Sequence, residues 1–340
     1  MSTEHEVINT EAVVQDVLNS IEREREREII ARRFGLFDRR ETLEQVGELL
    51  GITRERVRQL EKAVVTKLRQ TGADLPGVAH VQELLIAELE KAGKTARVTA
   101  LAGTLTAENT RTDQSRIAFL TELCPDIAVV GEDDNYFQSA GVGRDTLKVK
   151  KEVEQVVESI KKAGEPVEAK NLAKLAGFED QAQVTALAGI SKKLATLNGR
   201  WGLVKWPTVN PKNIRDKIYV ILSENGKHMH FNEIAEAIKA SDFKRKDVTT
   251  QAIHNELIKD KRFVLIGRGI YALKEWGYSK GTVADIISDV LKEAKEPLHR
   301  DEIVKRVLKS RFVKETTILL NLQSKSQFKR VAKATYELSE

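Results

Sequence analysis

Residues 42–69, TLEQVGELLGITRERVRQLEKAVVTKLR, carry the start signals of two short helices with a glycine between them. Thr42 can cap the first helix, and Gln45 stands where a capping box needs its second partner. Gly51 suits the tight turn that follows, because glycine adopts positive φ without steric cost. Thr53 can then cap a second helix. The stretch therefore predicts two helices joined by a tight turn.

Both helices place apolar residues at helical spacing, which predicts one inward face on each. Arginine, glutamate and glutamine side chains occupy the opposite face of the second helix near its start. These side chains can bond guanine, cytosine N4 and adenine respectively, so the pattern favours a helix-turn-helix that reads the major groove. The inward residues are Leu43, Val46, Leu49 and Leu50 on the first helix and Val57, Leu60 and Val64 on the second; the outward residues are Arg54, Glu55, Arg58 and Gln59.

The same stretch resembles region 4.2 of the sigma-70 family, the part that reads the −35 promoter element. Upstream, EREREREIIARRFGL at residues 22–36 resembles region 4.1. The resemblance implies that the outward side chains read bases or contact the DNA backbone, and that RNA polymerase core is a partner through its β-flap. It also implies that Arg56, Lys62 and Arg69 meet phosphate or a protein partner. With the capping threonines, the predicted DNA-binding set is Thr42, Thr53, Arg54, Glu55, Arg56, Arg58, Gln59, Lys62 and Arg69.

The net charge of +5 is distributed unevenly along the chain. Residues 51–70 hold six basic and two acidic side chains, so the second helix is locally basic. Residues 73–145 hold 6 basic and 12 acidic side chains, and phosphate should repel them. Residues 146–207, 208–278 and 279–340 each carry +4, which permits an approach to phosphate. The alternating Glu-Arg run from Glu22 to Glu28 favours a solvated helix face with local ion pairs.

After residue 73 one sequence plan recurs four times. Each copy has an amphipathic helix, a polar turn, a short second helix, a third helix and an extended, aromatic-bearing end. Three helices followed by a β-hairpin is the plan of a winged helix. We therefore predict a mainly α fold, with an N-terminal helix-turn-helix followed by tandem winged helix-turn-helix modules with short β-hairpin wings. The predicted domains are 1–72, 73–145, 146–207, 208–278 and 279–340.

The third copy gives the clearest hairpin signal, because strand-forming runs flank Gly267-Arg268-Gly269 in RFVLIGRGIYAL. Residues 213–278 resemble the HARE-HTH family, whose best-known bacterial relative is the N-terminal domain of the RNA polymerase delta subunit. This resemblance implies a winged helix-turn-helix that associates with polymerase or with DNA. The other three copies look like diverged relatives of it.

Enzyme signals are absent, so we expect no catalytic residues, no cofactor and no metal. His228 and His230 form the only close histidine pair and have no companion ligands at metal spacing. The single cysteine, Cys124, lies in an apolar setting that favours the core and fits a reducing cytoplasm. No apolar run is long enough to span a bilayer, and no signal peptide is evident. We expect a cytoplasmic, nucleoid-associated protein with no membrane partner.

Two functions remain open. The first is a DNA-binding transcription factor that reads a −35-like promoter element and engages polymerase or flanking DNA through its winged modules. The alternative is an accessory, delta-like polymerase-binding protein without specific DNA reading. A targeting module for restriction or DNA modification is weakest, because no nuclease constellation is present. Aromatic residues make up only 5% of the chain, and no aromatic-rich region 2 resemblance is found. We therefore expect that the protein cannot open a promoter alone.

Overall fold

The computed structural model describes residues 7–75, 77–278 and 281–339. Sixteen α-helices and twelve short strands lie in this described part, and every strand belongs to a small three-stranded antiparallel sheet. The prediction of a mainly helical protein is confirmed. The chain divides into two compact units, Met1–Lys205 and Trp206–Glu340, which are described separately below.

Four helices without strands open the first unit. Asn9 caps α1 through the amide of Ala12, and Gly35 ends α2 in the left-handed conformation. The predicted pair of helices on either side of Gly51 is present as α3 and α4. The bounds are α1 Thr10–Asn19, α2 Glu24–Phe34, α3 Leu43–Leu50 and α4 Arg54–Gln70, and a short 3-10 turn, Gly72–Asp74, follows.

One order of elements then recurs four times along the chain: helix, short strand, two helices and a hairpin. In each repeat the last strand lies between the other two. The first repeat contains α5 Val78–Lys91, β1 Thr95–Arg97, α6 Val98–Leu105, α7 Arg111–Leu123, β2 Ile127–Val130 and β3 Ser139–Val142. The second contains α8 Thr146–Ala163, β4 Val167–Glu168, α9 Ala169–Ala176, α10 Gln181–Ile190, β5 Leu194–Leu197 and β6 Arg200–Leu203.

The second unit holds the third and fourth repeats, with sheet orders β7-β9-β8 and β10-β12-β11. The third contains α11 Ile214–Asn225, β7 Met229–His230, α12 Phe231–Ala240, α13 Thr250–Lys259, β8 Phe263–Gly267 and β9 Ile270–Leu273. The fourth contains α14 Val283–Ala294, β10 Leu298–His299, α15 Arg300–Ser310, α16 Glu315–Ser324, β11 Phe328–Ala332 and β12 Thr335–Leu338.

Apolar periodicity and turn chemistry explain why these elements form. In α8 the buried residues recur every three or four positions, so the helix has one inward stripe. The second hairpin turns at Asn198-Gly199, where both residues have positive φ (49° and 74°), as a two-residue hairpin turn requires. The buried residues of α8 are Val149, Val153, Val156, Val157 and Ile160.

The N-terminal helices and the first repeat share a single hydrophobic core. Leu68 of α4 belongs to the same buried cluster as Phe119 and Leu120 of α7. The ring of Phe34, at the end of α2, lies 4.9 Å from the ring of Phe119. The division predicted at residue 72 therefore does not separate two hydrophobic cores, and it stays a prediction about sequence units.

A buried arginine fixes this junction. Arg116 on α7 is 8% exposed, and its Nε donates to the Leu36 carbonyl at 2.8 Å. Its Nη2 donates to a carboxylate oxygen of Glu11 on α1, also at 2.8 Å. Both hydrogen bonds involve a charged group and reach about 80 to 105 residues along the chain, so they hold the N-terminal helices on the repeat.

No helix in the three described segments is both long enough and apolar enough to cross a membrane.

Replacing Arg116 with Ala should lower the free energy of unfolding of the first unit by about 2–3 kcal/mol, because it leaves a buried carbonyl without its charged donor. Arg111→Ala is the matched control, since Arg111 is an exposed residue on the same helix, and it should change stability by less than about 0.5 kcal/mol. Thermal unfolding followed by circular dichroism measures both. Equal effects of the two variants would contradict the anchoring role.

Candidate nucleic-acid interface

The α3–turn–α4 segment is built from local hydrogen bonds that the sequence predicts. The Thr42 hydroxyl accepts from the Gln45 amide at 3.2 Å, and the Gln45 side chain accepts from the Thr42 amide at 2.8 Å. The predicted capping box is thus confirmed. Gly51 has φ of 64°, and the Thr53 hydroxyl accepts from the Arg56 amide at 3.2 Å. Thr42 and Thr53 therefore cap helices, and DNA contact by them stays a prediction.

The turn after α3 packs closely over Gly47, which has no side chain. The Ile52 amide donates to the Gly47 carbonyl at 2.9 Å. A Cβ on Gly47 would stand 2.7 Å from the Ile52 carbonyl oxygen, which is too close for any other residue without a backbone shift. Sequence reasoning did not single out this glycine, because only the folded turn shows what lies over it.

A small apolar cluster holds α3 and α4 together. Ile29 of α2, Val46 of α3 and Val57 of α4 are fully buried in it, and Leu43, Leu50, Ile52 and Leu60 pack around them. The expected inward stripe is wrong at Leu49, which is 55% exposed. At about 100° per residue, Leu43 and Leu50 fall on one side of Val46 and Leu49 falls on the other, away from α2 and α4.

The exposed start of α4 presents the four predicted base-reading side chains, three of which hydrogen-bond to one another. Glu55 accepts two hydrogen bonds from Arg58, at 2.8 Å from Nε and 2.7 Å from Nη2, and one from Gln59 at 3.2 Å. Arg56 donates to the Gln59 side-chain oxygen at 3.4 Å. Arg54 pairs instead with Glu44 of α3 at 2.8 Å. The surface thus presents planar hydrogen-bonding groups of the kind that recognise base edges.

Glu55 is held ionised in this arrangement. The hydrogen bond from Arg58, and then that from Gln59, lower the pKa of Glu55 from 4.5 to about 2. An ionised carboxylate only accepts hydrogen bonds, which suits the amino group of cytosine and opposes the carbonyl groups of guanine and thymine.

The basic residues further along α4 divide between two environments. Lys62 is exposed and lines a shallow groove of about 410 Å³ together with Arg58, Gln59 and Lys67. Arg69, by contrast, is bonded within the protein: its Nη2 donates to the carbonyls of Pro125 at 3.4 Å and Ile127 at 3.1 Å in the first repeat. The structure gives Arg69 an internal partner, so contact between Arg69 and phosphate stays a prediction.

Several interface-positioning residues escaped the sequence reasoning. Arg25 lies in the run expected to be a solvated face, yet its guanidinium donates to the Leu50 carbonyl at 2.6 Å and closes the end of α3. Arg33 of α2 pairs with Glu61 of α4 at 2.7 Å, where both side chains are mostly buried. Arginine-glutamate alternation alone does not distinguish such tertiary pairs from local ones.

His228, His230 and Cys124 have structural roles. His230 caps α12 by accepting from the Asn232 amide at 3.3 Å, and the ring of His228 lies 4.4 Å from that of Phe312. Burial raises the pKa of the Cys124 thiol to about 12, so it is not a thiolate at neutral pH. In the part of the chain that the structure describes, no three His, Cys, Asp or Glu side chains form a metal-binding group.

Comparison with known proteins identifies this segment. Residues 23–70 match the model of the family described as "Sigma-70, region 4". The RNA polymerase sigma factor sigB of Arabidopsis thaliana is 37% identical over 90 residues, which are 25% of this chain and 15% of that protein. The RNA polymerase sigma factor SigA of a Bacillus species is 49% identical over 57 residues, 16% of this chain and 15% of that protein. The chain therefore spans about 15% of the length of these relatives, and residues 23–70 form a sigma-70 region 4 domain.

Replacing Arg58 with Ala should raise the pKa of Glu55 from about 2 back toward 4.5, because the largest cause of the lowering is removed. Folding lowers this pKa, so the pair stabilises the domain above the ordinary pKa and ceases to do so as pH falls toward 2. Carboxyl ¹³C NMR titration of the free protein measures the shift. Arg69→Ala is the control. Because Arg69 contacts the first repeat, this substitution should leave the pKa of Glu55 unchanged.

Gly47→Ala should lower the free energy of unfolding by about 1–3 kcal/mol, because the added methyl group overpacks the turn. Gly189→Ala is the matched control, because Gly189 is also helical and has open space around its Cβ position. This substitution should raise the free energy of unfolding by about 1 kcal/mol at most. Thermal unfolding monitored by circular dichroism compares them. A neutral Gly47→Ala would show that the close approach of the turn is not required.

Proposed function

We propose that this protein is a DNA-binding transcription factor whose region 4 domain reads a −35-like promoter element. The single observation that carries the proposal is the exposed cluster of Arg54, Glu55, Arg58 and Gln59 at the start of α4. The capped turn and the buried cluster below it fix α4 so that this face points to solvent. Lys62 and Arg56 extend the same face with positive charge for phosphate contacts.

We propose RNA polymerase core as the second partner, with the β-flap as the site of docking, because the matched relatives are RNA polymerase sigma factors. The repeats then act as winged-helix modules that hold polymerase or flanking DNA, over residues 73–145, 146–207, 208–278 and 279–340. Their order of elements and the central position of the last strand support this assignment. Residues 208–278 would be the HARE-HTH module. Such a protein works in the cytoplasm, on the nucleoid.

An accessory, delta-like polymerase-binding protein is the second candidate. The observation that favours it is the mutual pairing of the reading side chains, since DNA has to open the Arg58–Glu55 pair before either group meets a base. Both side chains are more than half exposed, so solvent screens the pair and its opening costs little. We therefore rank promoter reading first.

Arg54→Ala and Gln59→Ala should each relax base preference by about 1–3 kcal/mol at one or two positions, because each removes a base-edge contact. Arg56→Ala is the matched control, and it should weaken binding to all sequences alike, as loss of a phosphate contact does. The measurement begins with selection of duplex DNA by the full chain, with and without purified polymerase. Binding titrations on point-mutated sites follow.

Two outcomes separate the candidates. If all three variants lose affinity equally across every mutated site, α4 does not read bases. If no duplex sequence is selected but polymerase is still captured, the accessory function replaces promoter reading.

A further inference from the structure

The four hairpins share a topology but differ in what they contact. The hairpin of the first repeat, β2–β3, lies against the end of α10 in the second repeat. Tyr136 forms a β-bridge with Ser191, and the Phe137 amide donates to the Ile190 carbonyl at 2.9 Å. The Lys192 amide donates to the Asn135 carbonyl at 2.7 Å. The hairpin of the first repeat is therefore bonded to the second repeat.

The hairpin of the third repeat, β8–β9, is engaged in a similar way. Arg311, which follows α15 of the fourth repeat, donates to the Leu265 carbonyl at 3.4 Å. A Cβ on Gly267 would stand 3.2 Å from the Phe312 carbonyl oxygen, so this strand end is close to the fourth repeat. The hairpins of the first and third repeats thus join successive repeats in pairs.

The hairpin of the fourth repeat, Phe328–Leu338, is exposed and basic. Lys329, Arg330 and Lys333 are all solvent-exposed, and Lys325 precedes them. Among the described residues, their side-chain hydrogen bonds and ion pairs stay within this hairpin: Arg330 donates to the Ala332 carbonyl at 3.2 Å. Glu337 is the one acidic residue in the hairpin and lies 4.0 Å from the Lys329 ammonium, at the limit of an ion pair.

The shape of this hairpin also suits a groove. A register shift between Arg330 and Ala332 bulges β11, and Ala334 has φ of 56° in the turn. A two-stranded ribbon of this kind is narrow enough to enter the major groove of a duplex. Val331, 41% exposed, is the only large apolar side chain at the tip, which is too little apolar surface to anchor a protein partner.

We propose that the hairpin Phe328–Leu338 is a second, sequence-independent duplex-DNA contact, in which Lys329, Arg330 and Lys333 meet phosphates. This proposal rests on the proposed function, because α4 would hold the same duplex and raise its local concentration at the hairpin. Duplex DNA is the partner that these charges fit best, since it presents about one negative charge per 1.7 Å of axis. The hairpin of the first repeat carries Glu132, Asp133 and Asp134 at its turn and could not serve in this way.

The test is a salt titration of the full chain on random-sequence duplex. Lys329→Ala, Arg330→Ala and Lys333→Ala combined should reduce the slope of log affinity against log salt by about 2–3, because each lost phosphate contact removes about 0.9. The matched control removes three exposed lysines on long helices, Lys151→Ala, Lys162→Ala and Lys292→Ala combined, and should keep the original slope. Lys329→Arg with Lys333→Arg should keep it as well.

The readouts separate this proposal from promoter reading. The hairpin variant should keep the base preference set by α4, whereas Arg54→Ala should change base preference and keep most of the slope. An unchanged slope in the hairpin variant, with circular dichroism showing intact folding, would overturn the proposal. Loss of polymerase capture together with an unchanged slope would assign the hairpin to a protein surface instead. If α4 proves not to read bases while the hairpin variant still lowers the slope, promoter reading fails and the hairpin contact stands.

Discussion

The packing of α4 is the constraint on which the interface depends. One stripe of this helix enters two apolar clusters: Val57 packs with Ile29 and Val46 near its start, and Val64 and Leu68 join the core shared with the first repeat near its end. A helix anchored on one side at both ends cannot roll. The opposite face near the start therefore keeps a fixed orientation, which recognition of base edges requires because hydrogen bonds to bases are directional.

The charges around α4 are divided by their accessibility. The Arg33–Glu61 pair is mostly buried and ties α4 to α2, while the Arg58–Glu55 pair is solvated. Breaking a buried pair leaves an uncompensated charge at considerable cost, whereas an exposed pair contributes little because solvent screens it. Base contacts can therefore replace the exposed pair without loosening the helix. The same two residue types, arginine and glutamate, hold the domain together in one place and remain available to a ligand in another.

The local features of this domain could be predicted from the sequence, and the long-range ones could not. Thr42, Gln45 and Gly51 act through neighbours within a few residues, so their roles follow from spacing alone. The partners of Arg69 lie 56 and 58 residues away, and those of Arg116 lie 80 and 105 residues away. No local pattern marks such contacts. The prediction that Leu49 faces inward was wrong for a related reason. Helical spacing allows apolar residues on either side of Val46 to be buried, and only the packing of neighbouring helices decides which side is.

The repeats show how charge assigns different duties to one topology. A hairpin at the end of a module exposes a strip of backbone and a turn, which can pack on a neighbouring repeat or meet a ligand. In the first repeat the hairpin turn is acidic, and Glu132 of this turn forms an ion pair with Lys192 of the second repeat at 2.8 Å. The charge on this turn is therefore partly balanced by the neighbouring repeat. In the hairpin of the fourth repeat, the exposed cations have one acidic partner among the described residues, Glu337, which lies 4.0 Å from Lys329. Because basic side chains that neutralise phosphates release the counterions condensed on DNA, the basic hairpin of the fourth repeat is better suited to a duplex than the acidic hairpin of the first.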